Sequence, residues 1–320
     1  MNTLLYIVIP CYNEEAVLHE TASRLQTKMA DLMGVGVIDT DSKLLFVNDG
    51  SRDRTWAIIN QLHETNPLFA GMNLSKNQGH QSALLAGLMV AKEHAQVAIS
   101  MDADLQDDIN AVDAMLDQYH AGHDIVYGVR SSRARDTWFK RTSAGVFYKL
   151  MNGLGVTMVP NSADYRLMSQ RALKGLEQFT EVNLFLRGVI PMVGYPSAVV
   201  HYERGERFAG ESKYPLRKMI SFALEGITSL SVRPIRMITM FGLVFFLVSL
   251  GMLGFFVFDY VAGNTVPGWA STVVSVWAIG SLQLMAIGII GEYIGKIYLE
   301  SKGRPRFIVE RVLLKKGKRD

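Results

Sequence analysis

The chain is 320 residues long, 49% hydrophobic and 20% charged, with a formal net charge of +3. That length admits more than one domain, and so small a charge excess does not by itself point to nucleic acid. The single cysteine, Cys11, excludes a disulfide framework and a cysteine-built zinc site, and it is compatible with a reducing cytoplasm.

The run Leu4-Leu5-Tyr6-Ile7-Val8-Ile9 has no basic segment before it and stops at Pro10, so it reads as a strand over residues 6–10 and not as a signal peptide. Helical spacing follows over 14–32. The pattern then alternates: strand 44–48, helix 54–64, strand 70–74, helix 80–94, strand 97–101, helix 111–121 and strand 125–128. Such alternation predicts an α/β fold, a mostly parallel sheet with helices on both faces. Neither G-x-G-x-x-G after the first strand nor G-x-x-x-x-G-K-[ST] is present, which disfavours a dinucleotide-binding Rossmann site and a P-loop.

Polar residues cluster just after each apolar strand. They are Tyr12-Asn13-Glu14-Glu15 behind Pro10, then Asn48-Asp49-Gly50-Ser51-Arg52-Asp53, then Ser75-Lys76-Asn77-Gln78-Gly79. The fourth cluster is Asp102-Ala103-Asp104-Leu105-Gln106-Asp107, behind the run Val97-Ala98-Ile99-Ser100. Any one of them has a backbone explanation, since Asn, Asp and Gly favour turns. Parallel strands bring all of them to one sheet edge, where ligands of open α/β sheets bind. Asp102 and Asp104 are hard oxygen donors, which point to a divalent cation shared with substrate phosphates. For an isolated D-x-D a solvated acidic loop or a helix N-terminus is the better explanation, and the rest of the chain must decide.

Residues 235–261 and 272–290 are long apolar stretches with no charge at their centres, close to or beyond the roughly 20 residues that span a bilayer. The loop between them carries no Lys or Arg, whereas Arg217, Lys218, Arg233 and Arg236 precede them and Lys296, Lys302, Arg304 and Arg306 follow. This asymmetry places the globular part and both termini in the cytoplasm. Residues 215–231 show helical spacing of Leu216, Met219, Ile220, Ala223, Leu224 and Ile227. That fits an amphipathic helix in the membrane surface, and equally a helix packed on the globular part. Residues 143–154 offer the same two readings. The division expected is a catalytic domain over 1–214, a juxtamembrane helix over 215–233, two transmembrane helices over 234–298 and a basic tail over 299–320.

Val8-Ile9-Pro10-Cys11-Tyr12-Asn13-Glu14, Asn48-Asp49-Gly50-Ser51 and Asp102-Ala103-Asp104-Leu105-Gln106-Asp107 resemble the inverting family 2 glycosyltransferases of the GT-A fold. Further motifs resemble the bacterial polyprenyl-phosphate branch, of the bactoprenol glucosyltransferase type and related to dolichol-phosphate mannose synthases. They are Asn77-x-Gly79-His80-x-Ser82-Ala83, Asp164-Tyr165-Arg166-Leu167, the run Arg207 to Tyr214, and Gly291 to Tyr298 with Lys302-x-Arg304-Pro305. The match extends over nearly the whole chain. It implies hexose transfer, glucose from UDP-glucose first, to undecaprenyl phosphate at the cytoplasmic face of a bacterial inner membrane. GDP-mannose, UDP-N-acetylglucosamine, UDP-galactose and an aminoarabinose derivative are alternative donors, and a non-catalytic membrane scaffold is the alternative of another class.

The resemblance also assigns roles. Pro10, Tyr12, Asn13, Glu14, Asp49, Ser51, Asn77, Asp102 and Gln106 would bind the nucleotide-sugar. Asp104, with Asp102, would ligate Mg²⁺ or Mn²⁺. Arg130, Arg141 and Ser212 would bind the lipid phosphate. Asp164, Arg207 and Lys213 would complete the catalytic set, with Asp164 as base or as positioning residue. Asn48 departs from the second Asp of many relatives, but Asp49 keeps the carboxylate. Gly288, Gly291 and Gly295 allow close helix approach, and the family often forms homo-oligomers. A phosphate-monoester nucleophile is largely ionised at neutral pH, so a strong base is less necessary than charge neutralisation. The Q-x-x-R-W signature of processive synthases is absent.

Overall fold

The computed structural model describes residues 2–131, 159, 162–182, 185–203, 205, 231, 233–262 and 268–314. Arg141, Arg207, Ser212 and Lys213, the 143–154 segment and nearly all of the expected juxtamembrane helix lie outside the described residues. The chain divides into two units. One comprises Met1–Lys149, Thr157–Pro215 and Arg304–Asp320, and the other Leu150–Val156 and Leu216–Gly303.

The first unit begins with the expected alternation. β1 (Leu5–Cys11), α1 (Leu18–Gly34), β2 (Lys43–Asn48), α2 (Thr55–Thr65), β3 (Phe69–Leu74), α3 (His80–His94), β4 (Val97–Ser100), α4 (Ala111–His120) and β5 (Ile125–Arg130) follow in order. β1, β2 and β4 are buried along their whole length. That is how strands covered on both faces read in sequence, as continuous apolar runs. The helix expected from Glu14 starts four residues later. Asn13 takes a left-handed backbone (φ 56°), and the Glu14 and Glu15 N–H groups donate to Thr55 Oγ1 and Asp53 Oδ2. Those amides serve the neighbouring loop and not a helix.

Five further strands or helices were not legible. β6 (Ser162–Ser169), α5 (Gln170–Glu177), α6 (Leu186–Met192) and β7 (Ser197–Tyr202) complete one side of the sheet. β8 (Val309–Leu313), from within the expected basic tail, pairs antiparallel with β3. The sheet has eight strands in the order β7-β5-β6-β4-β1-β2-β3-β8. β1 to β4 are mutually parallel, β6 runs against β4 and β5, and β7 is parallel to β5. The ends of β1 to β5 and β7 and the starts of β6 and β8 therefore share one edge.

Helices cover both faces. α1, α2 and α4 bury Leu25, Met29, Ile59 and Met115 in one cluster with Ile7, Ile9, Phe46 and Ile99. α3 crosses the opposite face at Gly87, where an added Cβ would lie 2.4 Å from Val8 Cγ1 and 2.7 Å from Val47 Cγ2. Only a residue without a side chain permits that approach. Two turns earlier, roughly 10 Å along the axis, His80 opens α3 at the sheet edge.

In the second unit, both apolar stretches are long helices, α7 (Arg233–Val261) and α8 (Trp269–Ser301). Large apolar side chains are exposed along them, among them Phe241, Leu247, Phe255, Leu284, Met285 and Ile297. Among the described residues one segment, Ile279–Ser301, is long and apolar enough to cross a membrane.

Candidate active site

The sheet edge gathers most of the described residues expected to act. Pro10 is buried within β1, opposite Val47. Tyr12 is exposed just beyond it. Asn13 and Ser51 lock the first two loops together: the Asn13 N–H donates to Ser51 Oγ (3.0 Å), and the Arg52 N–H donates to Asn13 Oδ1 (2.9 Å). The Glu14 backbone is held by Thr55, as above, and Asn77 is exposed in the third loop.

Asp49 is buried, and its carboxylate holds that third loop. Oδ1 accepts the Gln78 N–H at 2.7 Å and Oδ2 accepts the Gly79 N–H at 2.9 Å. Burial raises its pKa more than these bonds lower it. The structure thus gives Asp49 a loop-holding task within the region assigned to the nucleotide.

The acidic segment after β4 alternates. Met101, Ala103, Leu105 and Asp107 are buried, while Asp102, Asp104, Gln106 and Asp108 are partly exposed. Two local bonds shape it. The Gln106 N–H donates to Asp104 Oδ1 (3.2 Å), and Thr21 Oγ1 donates to the Ala103 carbonyl (2.7 Å). Leu105 turns the chain with φ 58°. Burial pushes the Asp102 carboxyl up, His80 offsets this, and Asp164 and Asp104 add to it. A divalent cation beside Asp102 and Asp104 would relieve that crowding. Among the described residues no group of three or more His, Cys, Asp or Glu is arranged to hold a metal. Two carboxylates with the remaining ligands drawn from phosphate oxygens and water is the usual Mg²⁺ arrangement, and the donor set fits Mg²⁺ or Mn²⁺.

Asp107 points into the protein. It accepts a hydrogen bond from Tyr202 Oη on Oδ1, and Arg130 Nη2 lies 3.8 Å away, while its buried Oδ2 has no partner among the described residues. Burial and the neighbouring Asp102 push its pKa up to about 6. Arg130, at the end of β5, is partly exposed and also donates from Nε to Tyr202 Oη (3.4 Å). The lipid-phosphate arginine of the sequence reading is thus anchored on its inner side by Asp107 and Tyr202.

Asp164 lies near the start of β6, level with Asp102 because Arg166 pairs with Ser100. Its Oδ1 accepts from Arg166 Nη2 (2.6 Å) and Arg187 Nε (3.1 Å), and its Oδ2 from Arg187 Nη2 (2.8 Å). His80 Nε2 stands 3.6 Å from Asp164 Oδ2 and 3.6 Å from Asp102 Oδ1. Burial alone would raise the Asp164 pKa. His80, Arg187 and Arg166 overcome it and hold the carboxyl well below the usual range. Burial pulls His80 down, but Asp164 and Asp102 raise it overall. Asp164 thus lies among three basic side chains, two arginines and His80, and balances their charge.

Sequence reasoning did not place His80, Arg166, Arg187 or Tyr202 in the site. His80 and Arg166 stood inside quoted motifs. Arg166 also has the two-residue spacing that puts it on Asp164's face of a strand. Arg187 and Tyr202 arrive from distant segments with no local signal.

The eight-stranded, largely parallel sheet with a phosphate- and metal-compatible edge defines a GT-A-like α/β protein. The chain belongs to Glycosyl transferase family 2, whose family model matches residues 6–176. It is 53% identical over 308 residues to the uncharacterized glycosyltransferase YkoT of Bacillus subtilis (strain 168), covering 96% of this chain and 91% of that one. It is 39% identical over 311 residues to the bactoprenol glucosyl transferase of Shigella phage SfV, covering 95% and 97%. Among solved structures, glucosyl-3-phosphoglycerate synthase from Mycobacterium tuberculosis with phosphoglyceric acid is similar at a TM-score of 0.47 and 18% identity, covering 71% of this chain and 79% of that one.

Proposed function

We propose that this protein transfers a hexose, glucose from UDP-glucose, with inversion to a polyprenyl phosphate held in the cytoplasmic leaflet of a bacterial membrane. The observation that carries the reading is the shared edge. There the donor-side loops and the Asp102–Asp104 pair stand beside a second set of cations, Arg130 with Asp107, and Arg187 with Asp164. Similarity to a bactoprenol glucosyl transferase over nearly the full length of both chains supports the lipid acceptor and the sugar.

In this reading the 12–15 and 48–53 loops hold the nucleotide, while Asp102 and Asp104 face the donor diphosphate. A bound Mg²⁺ or Mn²⁺ would neutralise charge on the leaving diphosphate. Arg130 meets the acceptor phosphate, with Arg141 and Ser212, and its fork suits bidentate binding of an anion. Arg207 and Lys213 would supply positive charge to the donor side. The acceptor oxygen attacks the anomeric carbon, and the bond to the diphosphate breaks. Because a phosphate monoester is already largely ionised, no carboxylate needs to remove a proton, which agrees with the strongly acidic Asp164. α7 and α8 both span the bilayer, with both termini cytoplasmic, and the exposed apolar side chains along both helices support this. Self-association through the glycine-bearing face of α8 belongs to the same proposal.

The test is transfer of radiolabelled sugar from a panel of UDP- and GDP-sugars to undecaprenyl phosphate by the full-length protein in nanodiscs, with and without EDTA. Lipid-linked glucose from UDP-glucose is expected, with loss of product in EDTA. Absence of lipid-linked product with every donor would overturn the reading.

A further inference from the structure

After α8 the chain returns to the first unit and pairs β8 with the outer edge of β3. Asn73 lies opposite Arg311 and Leu74 opposite Val309, so Glu310 is the extra residue of a bulge. Bulges re-aim a side chain. Here the Glu310 carboxylate accepts from Asn73 Nδ2 at 2.6 Å. Asn73 Oδ1 accepts from Asn48 Nδ2 at 2.6 Å, and Asn48 Oδ1 accepts the Ser51 N–H at 3.3 Å. Ser51 is the residue whose hydroxyl holds Asn13. A single file of hydrogen bonds therefore runs from the C-terminal strand to both donor-side loops.

The file has a direction, fixed at both ends: the Ser51 N–H only donates and the Glu310 carboxylate only accepts. An Asn amide offers a donor at one end and an acceptor at the other, and it can be turned round. A carboxylate only accepts. With Glu310 at the outer end, Asn73 must present Nδ2 outward and Oδ1 inward. Asn48 must then present Nδ2 to Asn73 and Oδ1 to the Ser51 N–H. Reversing the outer end would bring the Asn48 amide nitrogen against the Ser51 N–H, donor to donor, at a residue that is buried.

We infer that Glu310 is a positioning residue for nucleotide binding: its carboxylate matches, from the outer end, the polarity that the Ser51 N–H requires of the Asn73 and Asn48 amides, and so holds the turn from Asn48 to Arg52 in its binding shape. The inference rests on the donor reading proposed above and adds to it a segment that follows both long helices. It yields a reversal that mere loss of stability does not. Lys is donor-only, so Glu310→Lys inverts the file and sets up the clash at Ser51. Asn48→Asp puts an acceptor-only group at the inner end, and this clashes with Asn73 Oδ1. Combined, the two changes agree again. The ammonium introduced at position 310 donates to Asn73 Oδ1, and Asn73 Nδ2 donates to the carboxylate introduced at position 48. That carboxylate still accepts the Ser51 N–H.

The experiment uses the full-length protein in nanodiscs with two readouts. One is calorimetric binding of UDP and of GDP in Mg²⁺. The other is amide hydrogen exchange across residues 46–56, which needs no ligand. Each single variant is expected to weaken UDP binding about tenfold, the loss of a hydrogen bond plus a buried mismatch. Glu310→Gln, whose amide can still accept, stays within about threefold, and the double variant returns to about the same range. Exchange at 48–53 should rise in each single variant and fall back in the double. If the wild-type protein binds neither nucleotide, the donor reading fails, and the exchange arm alone then decides the file. A double variant no better than the worse single one in both readouts, or Glu310→Lys indistinguishable from wild type, would overturn the inference.

Discussion

Arg187 grips Asp164 through both carboxylate oxygens, Nε to Oδ1 at 3.1 Å and Nη2 to Oδ2 at 2.8 Å, while the fully buried Arg166 takes Oδ1 from the other side. One anion thus balances two guanidinium groups. Asp164→Asn leaves Arg166 buried without its counter-charge, which costs on the order of 3 kcal/mol. A clearly lowered unfolding midpoint is expected, together with weakened transfer and an acid limb of the pH–rate profile that stays in place in the residual activity. A variant of wild-type stability with abolished turnover would instead mark Asp164 as the proton acceptor.

Asp107 makes the opposite prediction for pH. Its folded-state pKa is pushed up to about 6 from an ordinary 3.8. The folded protein therefore holds this proton more tightly than the unfolded chain. The resulting stability is fully present below about pH 4 and is lost as the pH rises through about 6. The difference amounts to about 3 kcal/mol at neutral pH. Asp107→Asn keeps an acceptor for Tyr202 and removes the unpartnered anionic oxygen. Denaturant unfolding in EDTA at pH 4.5 and 7.5 should show the variant gaining on wild type only at the higher pH. Equal gaps at both values would contradict the burial argument.

How much of this was legible follows from where the physics is local. β1 to β4 announce themselves because strands buried on both faces need unbroken apolar runs, and their parallel pairing brings the polar clusters to one edge. β6 hides because Asp164 and Arg166 break its apolar pattern, and the charges are tolerated only through partners brought from α3 and α6. β8 reads as part of a charged tail because Glu310 and Arg311 sit in its middle, and only the free edge of β3 makes it a strand. Asp102 and Asp104 could be singled out from a six-residue window. Arg187 and Tyr202 could not, since nothing near them in the chain marks their purpose.

Gly50 carries a conformational prediction. It sits at φ +63°, and a Cβ there would lie 2.5 Å from the Asn77 N and 2.6 Å from the Lys76 carbonyl carbon. The obstacle is backbone, so no side-chain rotation relieves it. Gly50→Ala must either strain the turn or part the second and third loops, at a cost of about 2 kcal/mol or more. Thermal unfolding should register that loss, and UDP affinity should fall with it because Asp49 loses its hold on Gln78 and Gly79. An alanine variant with wild-type stability and affinity would show the two loops to be less tightly joined than these distances imply.

Asp104 tests the metal directly. Its Oδ1 already accepts the Gln106 N–H, which fixes the carboxylate at the open side of the acidic segment. Asp104→Asn keeps that acceptor and the side-chain shape but removes the charge a hard cation requires. Transfer should fall roughly a hundredfold or more, in line with several kcal/mol of lost charge stabilisation. The same variant should bind Mn²⁺ more weakly in the presence of UDP, read by electron paramagnetic resonance without turnover. Its unfolding midpoint should stay near wild type, because this side chain is partly exposed and the amide keeps the acceptor for the Gln106 N–H. Full metal-dependent activity in Asp104→Asn would remove Asp104 from the metal site and leave Asp102 to carry it.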